Sequence, residues 1–174
     1  MKRIMLSLEL LSQCENPVVA SATILDMDDS SKNHISRFRI GEQVDLGRKI
    51  SDRELVEIHE RGPDRFKELF SAGPSLRYGL INLGRHLEKA EEIWSGNPLV
   101  ELTALRSLYR LDHLKCPWHP EAERCVRTAA KLAHIDLELS PVEQSPSDPY
   151  DPFYPCLAKT AIVDEVYRRL RVER

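Results

Sequence analysis

Residues 3–12, RIMLSLELLS, constrain the fold more than any other stretch of this chain. Successive side chains of a strand point to opposite faces. Ile4, Leu6, Leu8 and Leu10 therefore share one face, and Met5, Ser7 and Glu9 the other. The stretch reads as a buried strand, and a lone carboxylate inside a buried strand requires a reason.

The segment PVVASATILDMD follows a short turn at Glu15–Asn16–Pro17 and reads as a second strand, hairpin-paired with the first. DDSSKNH is a turn, and ISRFRIG a third strand. Helical spacing dominates the remainder. SDRELVEIHERG carries a cap signal at Ser51, Glu54 three residues later and a stop at Gly62. GPDRFKELFSAG and PSLRYGLINLGRHLEKAE are two more helices, EIWSG is a short strand, and NPLVELTALRSLYRLDH begins a helix at Pro98. ERCVRTAAKLAHI is predicted to be helical throughout, about 139–155 an irregular proline-rich loop, and CLAKTAIVDEVYRRLRVE the closing helix. Strands first, then helices with one strand among them, imply an α/β or α+β layered fold. The 174 residues suit one domain, 1–174.

Composition excludes several function classes. With 41% hydrophobic and 30% charged residues the chain is globular in character. It has no run of about 20 apolar residues such as a membrane span needs. No secretion signal is evident, so a cytoplasmic location with reduced thiols at Cys14, Cys116, Cys125 and Cys156 is expected. The net charge of −3 gives no bulk electrostatic case for nucleic-acid binding. Cys116, His119 and Cys125 suggest a zinc set, but no second paired motif completes it, and packing cysteines are the favoured reading. His59, His86, His113 and His134 show no metal-helix spacing, and the glycines form no phosphate loop. The arginines of YRRLRVER read as a solvated helix face.

In order along the chain, IMLSLELLS, PVVASATILDMD, GRKISDRELVEIHERGPDRFKELF, IWSGNPLVELTALRSLYRL, PWHPEAERCVRT and KTAIVDE resemble successive motifs of the DEDDh 3′–5′ exonucleases. The likeness is to the branch of phage exodeoxyribonuclease A and the mycobacterial exoribonuclease-like domain. It implies an RNase H-like α/β fold: a mixed sheet that starts with a three-strand antiparallel meander, flanked by helices. Such enzymes hold two divalent ions, Mg²⁺ or Mn²⁺, on four acids and use a histidine base.

The resemblance places Glu9, Glu101 and Asp164 on three of the acids, with Glu101 one methylene longer than the family's aspartate. Ser7 stands for the fourth acid, Lys159 for the histidine, and Cys125 for a further aspartate. Lysine is a poor base near neutral pH. Five residues of helix turn through roughly 500°, so Lys159 and Asp164 do not share a face, and Lys159 is expected in the first turn or the preceding loop. Apart from the resemblance, Glu9 reads equally well as a solvent-facing edge residue, and Glu101, Asp164 and Lys159 as solvated surface charges.

The expectation is thus an exonuclease-like protein with an impaired metal site and no tightly held cofactor. It would bind nucleic acid, as a single strand or 3′ end, or a protein partner, in the manner of a phage or mobile-element accessory factor or inhibitor. The alternative is an active exonuclease on single-stranded DNA or RNA, with any metal on Glu9, Glu101 and Asp164. If the former holds, Lys159 and the Ser7 hydroxyl, donating a hydrogen bond, compensate the acids, or one acid takes up a proton through a raised pKa, and Glu9 lies buried or half-buried on a central strand facing Asp164 and Glu101.

Overall fold

A computed structural model describes residues 2–29, 31–71, 73–137 and 153–171. Five strands form one mixed sheet in the order β3-β2-β1-β4-β5. They are β1 (Arg3–Leu10), β2 (Val19–Asp26), β3 (Asn33–Arg37), β4 (Glu92–Ser95) and β5 (Glu123–Cys125). The first three pair antiparallel as the expected meander, and β1, β4 and β5 run parallel. β1 is the central strand, which is why its sequence is apolar on both faces.

The helices are α1 (Ile40–Asp45), α2 (Asp52–Arg61), α3 (Pro63–Phe70), α4 (Leu76–Leu87), α5 (Pro98–Leu111), α6 (Val126–Leu132) and α7 (Tyr154–Leu170). On one face of the sheet, Ile4 and Leu6 pack with Leu80 and Leu83 of α4 and with Leu102 and Leu105 of α5. On the other, Met5 packs with Trp94, Val126 of α6 and Cys156 and Val163 of α7. A third cluster joins Leu11, Val18 and Ala20 to Ile40 and Ile58. The alternation read in β1 thus directs Ile4 and Leu6 to one core and Met5 to another. No helix among the described residues is long and apolar enough to cross a membrane.

Four expectations differ from the structure. The stretch ERCVRTAAKLAHI is not helical throughout: Glu123–Cys125 form β5 beside β4 before α6 begins at Val126. Three residues are too few to show a period of two. The third strand starts two residues earlier than ISRFRIG and stops at Arg37, and Ile40–Asp45 is helical. The closing helix begins at Tyr154, taking Pro155 into its first turn, where a missing N–H costs nothing; most of the expected proline-rich loop lies outside the described residues. Ser51 occupies the N-cap position of α2 without a side-chain cap bond, and Gly62 ends that helix in extended rather than left-handed backbone.

Candidate functional site

Ser7 and Glu9 point to the same face of β1 in its second half, level with Thr23 and Ser21 of β2. The pairing with β2 shifts register between Glu9 and Leu10, and such bulges bend a strand and re-aim its side chains. Glu9 is half-buried on the central strand, and its Oε2 accepts a hydrogen bond from Ser21 Oγ at 3.0 Å. The solvent-facing edge reading of Glu9 is therefore excluded.

Glu101 enters from the first turn of α5 and is only 8% exposed. β4 ends at Ser95, opposite Leu6, while β1 continues. The Glu101 carboxylate takes over as acceptor where β4 has stopped: Oε1 accepts from the Leu8 N–H at 3.2 Å. Its Oε2 accepts from the Ser95 hydroxyl and from the Asn97 N–H at 3.0 Å. Lys159 Nζ lies 3.6 Å from Oε1. Three hydrogen-bond donors and one nearby ammonium thus surround this carboxylate.

Lys159 is the sixth residue of α7, not in its first turn or the preceding loop as expected. Its ammonium donates to Ser7 Oγ at 3.1 Å. Ser7 is thus the acceptor of this bond. Gly96 makes room for the lysine: a Cβ there would sit 3.0 Å from Lys159 Cε and 3.2 Å from Nζ. Cys125 Sγ lies 3.9 Å from the Gly96 carbonyl, so the last residue of β5 packs beside the same turn. Asp164 lies further along α7, half-buried, with its Oδ1 shielded from solvent. Burial pushes the Cys156 thiol in the first turn of α7 up to about 12, so it stays protonated.

The structure therefore joins Ser7, Gly96, Glu101 and Lys159 in one contact network. Glu9, on the same face of β1, accepts from Ser21. No group of three or more His, Cys, Asp or Glu side chains among the described residues is arranged to hold a metal ion. The residues present, as arranged, do not fit the two-metal centre implied by the resemblance: an ammonium stands on Ser7, and the oxygens of Glu101 are committed to backbone and hydroxyl donors. Sequence reasoning missed Ser95, Gly96, Asn97 and Ser21 as members of this region. The turn signal SGN after EIW is the only trace of the first three, and only cross-strand register reveals Ser21.

No family profile matches this sequence, and no curated protein matches it. Among solved structures, the nuclease domain of 3′hExo, described as a DEDDh family member bound to rAMP, superposes with a TM-score of 0.62 at 10% identity, covering 98% of this chain and 92% of that one. The strand order, the helical layers and this likeness together give the chain the α/β, RNase H-like fold of the DEDDh exonucleases.

Proposed function

We propose that this protein is an exonuclease-fold protein in which two-metal catalysis has been lost and whose activity is binding. In this reading 1–174 is one domain, Glu9, Glu101 and Asp164 are remnants of the acid set, and Ser7 and Lys159 replace the missing acid and the base. The observation that carries it is the Lys159 ammonium bonded to Ser7, with Glu101 held by Leu8, Ser95 and Asn97. A metal would have to displace the ammonium and break bonds that finish the sheet. Removing a buried acceptor from its donors costs about 1–3 kcal/mol each.

Charge bears on what is bound. In this reading Glu9, Glu101 and Asp164 against Lys159 leave the former metal site formally negative, so a phosphate backbone gains little there without metal ions. A protein partner fits this better than a strand end. The test is incubation of the purified protein with labelled single-stranded DNA and RNA in Mg²⁺ or Mn²⁺, with strand length and fluorescence anisotropy both read. Unshortened strands are the expected result. Stepwise 3′ shortening that Glu9→Ala abolishes would establish the active-exonuclease reading instead, and tight binding without shortening would assign the strand end as partner.

A further inference from the structure

At the other end of β1, on the opposite face of the sheet, a cleft of about 290 Å³ opens between the strand entry and α4. Ile4 and Ile24 form its floor, and Lys2, Lys32, His34 and His86 stand around it. The two imidazoles stack with ring centroids 4.3 Å apart and planes within 15° of parallel. His34 Nε2 is held by Ser36 Oγ at 2.9 Å and Asn82 Nδ2 at 3.2 Å. An amide N–H₂ donates only, so Nε2 accepts and the neutral ring carries its proton on Nδ1. Lys2 Nζ is anchored by one bond to the His86 carbonyl at 2.6 Å, which leaves it further donors.

The charged groups lining this cleft among the described residues are Lys2 from the strand entry, Asp26 from the end of β2 and Lys32 from the turn to β3. Asp26 Oδ1 is turned to the backbone N–H groups of Asp28 and Asp29, and Lys32 pairs with Asp29 at 2.9 Å. Asp29 pairs with Lys32 from outside the lining, so among the lining's two ammoniums and one carboxylate it is Lys2 that chiefly offers charge to a ligand. We propose that this cleft is a binding site for a small phosphate-class oxyanion, received by Lys2, Lys32 and the stacked His34–His86 pair.

The stacked pair makes such a site sensitive to pH. Burial lowers both imidazoles below their ordinary value; the neighbouring ring adds to this at His34, and Lys2 adds to it at His86. Both shifts favour the neutral form of the rings. A bound dianion supplies the missing opposite charge and raises them, so binding takes up protons and tightens as pH falls.

The test is calorimetry and histidine NMR on the full chain with sulfate, which stays a dianion over the range used. Saturable binding is expected in the millimolar range or tighter, stronger by about threefold or more near pH 6 than near pH 7.5. The His34 and His86 ring signals should shift together. Lys2→Met should weaken binding by about threefold or more, and His34→Asn combined with His86→Asn should abolish its pH dependence while near-ultraviolet dichroism confirms an intact fold. Inorganic phosphate and a nucleoside 5′-monophosphate, compared at one pH, separate the two sources: tighter nucleotide binding assigns a nucleotide, equal or weaker binding a free oxyanion. Absence of saturable binding by all three anions overturns the proposal, as does binding that moves neither histidine or is indifferent to Lys2→Met.

Discussion

Lys159 Nζ lies 3.1 Å from Ser7 Oγ, so a helix residue and a central-strand residue meet where the resemblance expects a base and an acid. The lysine side chain is 24% exposed, enough to leave its ammonium partly hydrated. Replacing it by methionine leaves Glu101 without the cation 3.6 Å from its Oε1 and Ser7 without its donor. Lys159→Met is expected to destabilise the domain by about 1–3 kcal/mol, read by urea denaturation.

Glu101→Gln should cost a similar amount, about 1–3 kcal/mol, for a different reason. A glutamine offers one acceptor oxygen and an N–H₂ group. That group would face N–H or O–H donors from Leu8, Ser95 or Asn97. Amide exchange at Leu8 and Asn97 should accelerate in this variant, whereas a solvated surface glutamate would leave both unchanged.

Gly96 and Lys159 should be energetically coupled. In the parent, Gly96→Ala drives a Cβ against the lysine stem, offsetting the stabilisation that a less flexible unfolded chain brings. In a Lys159→Ala background that contact is gone, and the same substitution should stabilise by about 0.4–1 kcal/mol. A double-mutant cycle with no coupling would place the lysine away from Gly96.

Restoring the acid set should require two changes. Ser7→Asp alone places a carboxylate beside the Lys159 ammonium and should form an ion pair, raising the thermal midpoint without Mn²⁺ binding. With Lys159→His added, Mn²⁺ binding by calorimetry is expected to become measurable, together with some strand shortening. Binding of Mn²⁺ by the single variant would show that the ammonium does not block the site.

Stability should fall in two separate pH windows. His34 and His86 have lowered folded values, so the unfolded state binds more protons, and their contribution is lost as pH drops below the ordinary imidazole value of about 6.5. Asp29 is lowered to about 2 by Ser31 and Lys32, and Glu165 to about 2 by Arg168 and Arg169. Their contributions are present above the ordinary carboxylate value and are lost only as pH falls from about 4 toward 2. Denaturation midpoints should therefore decline first below about pH 6.5, and replacing both histidines by asparagine should remove that first decline.

The layered α/β fold was legible because it rests on local periodicity. A strand with apolar residues on both faces has to lie inside a sheet, and the amphipathic helices that follow have to cover it. The meander of β1, β2 and β3, the strand at Glu92–Ser95 and the helix starting at Pro98 all follow from spacing and turn residues. β5 did not, because three residues beside a parallel neighbour carry no periodic signal. The identities of Ser7 and Lys159 were likewise plain, since both stand at definite places in the sequence. Which atoms they meet was not, because residues 152 positions apart touch only once α7 has docked on β1. The same holds for Glu101, whose four partners come from β1, β4, the turn at Asn97 and α7, and for Arg48. The latter is buried on the Pro17 carbonyl and Ser107, with desolvation pulling it down to about 10. Sequence determines which groups are present and on which face of an element they lie; only tertiary packing decides which polar groups are removed from water together, and so which must pair with one another.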